Sequence, residues 1–147
     1  MPSRVFDTNV LLRLVLPSQM DPLAEALWQE CAHFGFDIVI PSQGISEAMA
    51  NIRRQVARMQ LTVEEGDEVF EKLCAYLVSV QIETVQLDAW DVAKRFNRPD
   101  TYDSEFYALA EALSAELWTA DERFVNAMGQ QRPTWVKGLA DMQPTSG

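Results

Sequence analysis

Arg4-Val5-Phe6-Asp7-Thr8-Asn9-Val10-Leu11-Leu12 reads as a short apolar strand that ends on an acid and passes at once into an apolar helix. An aspartate so placed stands at the carboxyl end of a strand beside a helix N-terminus, which in open α/β sheets is where ligands bind. Three later acids take comparable positions. Glu47 falls in the first turn or two of a helix that follows an apolar strand, Asp103 begins a helix, and Asp121 directly follows a strand.

Outward from that stretch, strands alternate with helices. Val10 to Leu16 is a short helix stopped by Pro17, and Asp21-Pro22 opens a second, with Asp as N-cap and Pro at the first helical position. Asp37 to Ile40 is a β-branched strand, followed by a helix with Ser42 as its N-cap and Ile45, Met49, Ile52 and Val56 on one face. Thr62-x-x-Glu65 fits a capping box ahead of the next helix. Gln81 to Val85 is the third strand, and Asp88 caps the helix after it. Residues 97–101 form a loop, because Pro99 cannot continue a helix. The Asp103 helix leads to strand four, Glu116 to Thr119; a short helix follows, and the last strand is Thr134 to Val136. Short apolar strands separated by helices predict a parallel sheet covered on both faces, an α/β fold in one domain over residues 1–142, with a polar tail at 143–147.

The 147 residues suffice to bury roughly two-thirds of the surface of the unfolded chain. A net charge of −10 argues against broad nucleic-acid binding, yet leaves room for a local site whose acids are neutralised by cations. Cys31 and Cys74 lie in amphipathic helices without zinc spacing, and the one histidine is His33, so both cysteines are expected to be core thiols. No apolar run approaches the ~20 residues of a membrane span, and Val10 to Leu16 is interrupted by Arg13, so the expected location is cytoplasmic.

Singly, each acid has a structural alternative: Asp7 a turn residue, Asp103 and Asp121 N-caps, Glu47 a solvated helix position. Together they point to metal, since ionised carboxylates sharing a cleft repel one another unless a cation compensates. Oxygen ligands without His or Cys favour Mg²⁺ or Mn²⁺, ions suited to activating water against a phosphodiester.

The segments Val5 to Leu12, Ser46-Glu47-Ala48, Tyr102 to Ala110 and Leu117 to Phe124 resemble, in order and spacing, the PIN-domain nucleases, and among them the VapC-type toxins of toxin–antitoxin pairs. The resemblance runs from Val5 to about Val136. It implies a three-layer α/β/α fold with a five-stranded parallel sheet in order 3-2-1-4-5, and Mg²⁺- or Mn²⁺-dependent cleavage of RNA leaving a 5′-phosphate. It makes Asp7, Glu47, Asp103 and Asp121 metal ligands. Thr119 would orient Asp121 or a metal-bound water, Asn9 would hydrogen-bond a ligand carboxylate or a water, and Ser104 would be a helix-start residue. A homodimer and a cognate antitoxin are the implied partners, and Leu11, Leu12, Leu14, Leu16, Met49, Ile52 and Met59 are more apolar residues than a single core stripe needs. Arg53, Arg54 and Arg58 are candidate RNA contacts, with Lys94, Arg95 and Arg98 a second group; a solvated helix face is the alternative for each.

Two other functions compete. A PIN-like module that binds without cleaving would be favoured by loss of an acid, and all four are present. Asp7-Thr8-Asn9 is also similar to the nucleophile motif of haloacid-dehalogenase-like phosphatases, but that motif wants a second acid where Asn9 stands.

Overall fold

β-Branched and apolar runs form the strands because alternate side chains can be buried on opposite faces. The structure, a computed structural model, describes residues 2–83, 88–96 and 102–142, with the side chains of residues 88, 89, 102 and 103 outside that description. Five strands, β1 (Ser3–Phe6), β2 (Asp37–Pro41), β3 (Val80–Glu83), β4 (Glu116–Thr119) and β5 (Val136–Gly138), pair in parallel in the order β3-β2-β1-β4-β5. The helices are α1 (Thr8–Val15), α2 (Pro22–Phe34), α3 (Ser42–Ala57), α4 (Val63–Leu77), α5 (Asp88–Arg95), α6 (Tyr102–Leu113) and α7 (Glu122–Met128).

The sheet sorts its residues by pleat. Phe6, Ile38, Ile40 and Trp118 pack with α1 to α4, whereas Val5, Val39 and Leu117 pack with α5 to α7. This is the three-layer α/β/α arrangement expected, with the strand order reversing between β1 and β4. Leu11, Leu12, Leu14, Leu16 and Ile52 are all core, so the surplus of apolar residues on the first and third helices reduces to exposed Met49 and Met59.

Local chemistry explains most boundaries. Asp21 caps α2 by accepting from the Leu23 N–H at 2.9 Å, and Thr62 and Glu65 close the capping box of α4. Ser42 is not a cap: β2 runs into α3 without a break, Pro41 takes the N-cap place and no side chain caps it. The first helix begins at Thr8, directly after Asp7. The helix of Asp103 starts one residue earlier, at Tyr102. The last strand is displaced from 134–136 to Val136–Gly138, because the Arg132 guanidinium holds the Val136 carbonyl at 2.9 Å and keeps Thr134 and Trp135 in a turn. β3 begins at Val80, one residue early. Its expected end at 84–85, the 97–101 loop with Arg98, and the 143–147 tail lie outside the described residues, as does the capping side chain of Asp88.

Cys31 is buried, but Cys74 is exposed: on α4 it is the neighbour of inward-facing Leu73 and so points away from the core. At the opposite edge from Asp7, Arg4 is buried between Glu30 Oε2 at 2.6 Å and Glu116 Oε1 at 2.9 Å, with its guanidinium carbon 3.9 Å from the Phe36 ring centre. That ties the start of β1 to β4 and α2. Among the described residues no helix is long and apolar enough to cross a membrane.

Candidate active site

β1 and β4 end side by side, and the pairing extends one residue past β1, where the Asp7 N–H donates to the Trp118 carbonyl at 3.0 Å. Asp7 therefore leaves the sheet beside Thr119. It occupies the N-cap position of α1, yet its side chain makes no capping bond. Instead Oδ2 accepts from the Thr119 hydroxyl at 2.8 Å and from Asn9 Nδ2 at 3.2 Å, and the residue is only 4% exposed. An aspartate at a helix start that forgoes its cap is placed for another task.

Thr119 lies fully buried, and its hydroxyl also accepts the Asp121 N–H at 3.0 Å. The side chain thus orients Asp7 directly and Asp121 through its main chain. Asn9 adds a second link, accepting the Ala120 N–H at 2.8 Å on Oδ1. Asp121 does cap its helix: Oδ1 accepts from the Arg123 and Phe124 N–H groups at 3.0 and 3.2 Å. The cap and the main-chain bond to Thr119 thus fall on one residue.

A second group meets the first through consecutive residues. Next to Asp7, Thr8 shares its hydroxyl proton between Glu47 Oε2 at 3.1 Å and the Gly44 carbonyl at 3.2 Å. Glu47 is on α3, which approaches α6 closely at Gly44: a Cβ there would stand 3.2 Å from Phe106 and 3.1 Å from Thr8 Oγ1. Asp103 is the second residue of α6, and its side chain lies outside the described residues. Ser104, the third residue of α6, lies in its first turn and is buried.

Sequence reasoning missed Glu105. It is 7% exposed, and with its amide nitrogen turned toward it Gln43 donates to Oε2 at 2.8 Å and Oε1 at 2.9 Å. Burial, and then the charge of Glu47, push its carboxyl above the usual range. A signal was available in the sequence, because Phe106-Tyr107-Ala108-Leu109-Ala110 directly after it is apolar on every side of the helix; such a segment is enclosed, and an acid beside it can be enclosed too. The raised value means that the ionised form is disfavoured in the folded state, so wild type bears a penalty above that pKa which disappears below the ordinary carboxylate range. In EDTA, Glu105→Gln should melt above wild type at pH 7 to 8, and the gap should close as pH falls through the raised pKa; melting curves across pH check this, and a gap independent of pH would refute it.

The basic residues separate. Arg53, Arg54 and Arg58 are exposed, but Arg54 lines an open cavity with Glu47, Arg53 lines a different cavity between α3 and α4, and Arg58 lies beyond the end of α3. Arg95 is engaged by Glu111 at 3.0 Å and Lys94 is exposed.

The profile of the PIN domain matches residues 5–135. The chain belongs to the PIN-domain family. A crystal structure of PAE2754 from Pyrobaculum aerophilum superposes on this PIN domain with a TM-score of 0.69 at 17% identity, covering 95% of this chain and 85% of that one. At that identity the likeness concerns the fold. No curated protein matches the sequence.

PIN domains are generally nucleases and typically use divalent metals. The donors of this PIN domain suit a hard cation, because Asp7, Glu47 and Asp121 bring carboxylate oxygens and the neighbours Thr8, Asn9 and Thr119 bring hydroxyl and amide groups, without thiol or imidazole. Among the described residues no three His, Cys, Asp or Glu side chains gather closely enough to enclose an ion.

Thr119 is where this arrangement is most easily tested. Valine keeps the shape but removes the donor to Asp7 and the acceptor for Asp121, and an unsatisfied buried group costs about 1–3 kcal/mol. Loss of such a supporting contact lowers metal affinity or activity by roughly 10–100-fold. Thr119→Val should show both losses, in melting curves and in Mn²⁺ titration, and Thr119→Ser should show neither.

Proposed function

We propose that this PIN domain is an endoribonuclease that hydrolyses RNA phosphodiester bonds with Mg²⁺ or Mn²⁺. The observation that carries the proposal is the joining of Asp7 and Asp121 through Thr119, with Asn9 bonded to Asp7 and to the Ala120 N–H, at the point where the strand order reverses. Asp7, Glu47, Asp103 and Asp121 would hold the cation, and a divalent ion there would supply a water nucleophile at neutral pH and charge stabilisation for the phosphate. The remaining work belongs to neutral donors. Thr119 and Asn9 hold Asp7 by Oδ2 and fix its orientation. Thr8 holds Glu47 in the same manner and couples the two carboxylates through adjacent backbone positions.

A second reading, a binding module that does not cleave, draws on the absence of a three-acid enclosure among the described residues and on the capping engagement of Asp121 Oδ1. One experiment separates them. Purified protein is incubated with total RNA and Mg²⁺ or Mn²⁺, beside EDTA and an Asp7→Asn variant. Cutting that is lost in both controls supports the nuclease. Equal behaviour of wild type and Asp7→Asn in every metal gives the binding module precedence.

The proposal extends to the toxin of a type II toxin–antitoxin pair, homodimeric and bound by a cognate antitoxin, on the strength of the VapC-like motifs. A small neighbouring reading frame whose product copurifies with this chain on coexpression is the result expected. Absence of such a frame together with harmless expression of wild type would remove the toxin assignment and leave the nuclease intact.

A further inference from the structure

The outer face of α3 carries Gln43, Glu47, Asn51 and Arg54 at intervals of four, four and three residues, which sets them in one row along the helix. Beside the row stand Ser46 and Ala50, and the two small side chains leave an open cavity of about 430 Å³ lined by these six residues. Glu47, whose carboxylate accepts from Thr8, lines this cavity as well, so the row of α3 side chains starts beside the acid site. Seven residues of helix separate Glu47 from Arg54, about 10 Å along the axis.

The row has a chemical gradient. Glu47 lies at the acid site, Asn51 is fixed to the helix by donating Nδ2 to the Glu47 carbonyl at 3.0 Å, and Arg54 is exposed. Arg54 makes no ion pair among the described residues, in a chain with 22 acids and 12 basic residues. Its neighbour Arg53 lines the other cavity, against Met49, Phe70 and Asp67, on a different side of α3.

Resting on the nuclease assignment, we infer that this row is the path of the RNA strand away from the acids, with Arg54 taking a phosphate beyond the one being cut and Asn51 and Gln43 lining the way. A volume of about 430 Å³ lies in the small-ligand range and has room for one nucleotide of a strand. No aromatic ring lines it, so bases have no stacking platform and the contact is to the sugar–phosphate chain, indifferent to sequence.

The test uses the full chain carrying Asp7→Asn, so that a fluorescein-labelled single-stranded RNA survives, with binding read by anisotropy over a salt series. Arg54→Ala is expected to weaken binding roughly two- to fivefold at low salt, and to reduce the slope of log K against log salt by about 0.7, the value for one phosphate on a single strand. Arg54→Lys should restore the slope, and Arg53→Ala and Arg58→Ala should leave it unchanged. In the cleaving protein Arg54→Ala should raise KM and spare kcat. RNA binding by the parent with a slope indifferent to Arg54, or equal losses at Arg53 and Arg58, overturns the path while the nuclease stands. A parent and wild type that neither bind nor cut RNA overturn both.

Discussion

Replacing Asp7 by asparagine is expected to lower metal-dependent cleavage by more than ~100-fold, the upper end of what loss of an outer contact to a metal site costs, while leaving the fold intact. The two effects separate because of how Asp7 is held. Its shape is specified by the Thr119 hydroxyl and the Asn9 amide, both donating to Oδ2, and an asparagine oxygen in that place accepts the same two bonds. What is lost is one negative charge at a position only 4% exposed. Without a cation, removing a charge from so buried a position lifts a desolvation cost, and in EDTA the variant should melt at or above wild type. With metal the order reverses. A ligand that binds only the folded state at 100 times its Kd adds about 2.7 kcal/mol, which raises the melting temperature of wild type in Mn²⁺ and should leave that of Asp7→Asn nearly unmoved. Equal stabilisation of both proteins by Mn²⁺ would place the cation elsewhere and sink the assignment of Asp7 as a ligand.

The reason Asp7 could be read from sequence is that its signal is local. A strand that ends on an acid and turns into a helix within Arg4 to Leu12 contains both the element and the site, and the same holds for Glu116 to Asp121. The parallel sheet followed from the alternation of strands with helices, and its strand order from the likeness to PIN domains. Glu105 was missed for the opposite reason. An acid on a helix reads as solvated unless the burial of its neighbours on every side is counted, and that burial comes from the sheet beneath α6 and from Gln43 on α3, more than sixty residues earlier. Cys74 failed on phase, one residue along α4 from Leu73. The displacement of β5 rests on the Arg132 side chain gripping a main-chain carbonyl, which no propensity records. Likewise, three arginines close in sequence look like one patch, yet Arg53 and Arg54 line different cavities and Arg58 lies past the helix end.

Phe106 is where the core and the site are mechanically joined, and Phe106→Ala is expected to cost about 3–5 kcal/mol, as for other buried aromatics. The ring is 1% exposed, and it packs with Val5, Val39 and Leu117 in the layer beneath α6. Against a total stability of about 5–15 kcal/mol this is a large fraction, and at about 2–4 °C per kcal/mol it should lower the melting temperature by roughly 10 °C or more. The distinguishing feature is on the other side of the ring, where Cε1 and Cζ stand 3.2 Å from the place a Gly44 Cβ would occupy. Gly44 hands its carbonyl to Thr8, and Thr8 holds Glu47, so the ring sets the depth at which α3 seats against the acids. Gly44→Ala should therefore strain the wild type despite the better helix propensity of alanine, worth about 1 kcal/mol. The same change should be tolerated better in a Phe106→Leu background, where the shorter side chain withdraws from the contact. Urea denaturation of the four proteins in that cycle should return a coupling of about 0.5–3 kcal/mol. Additive effects would mean that α3 and α6 adjust independently, and that Glu47 is positioned by Thr8 alone.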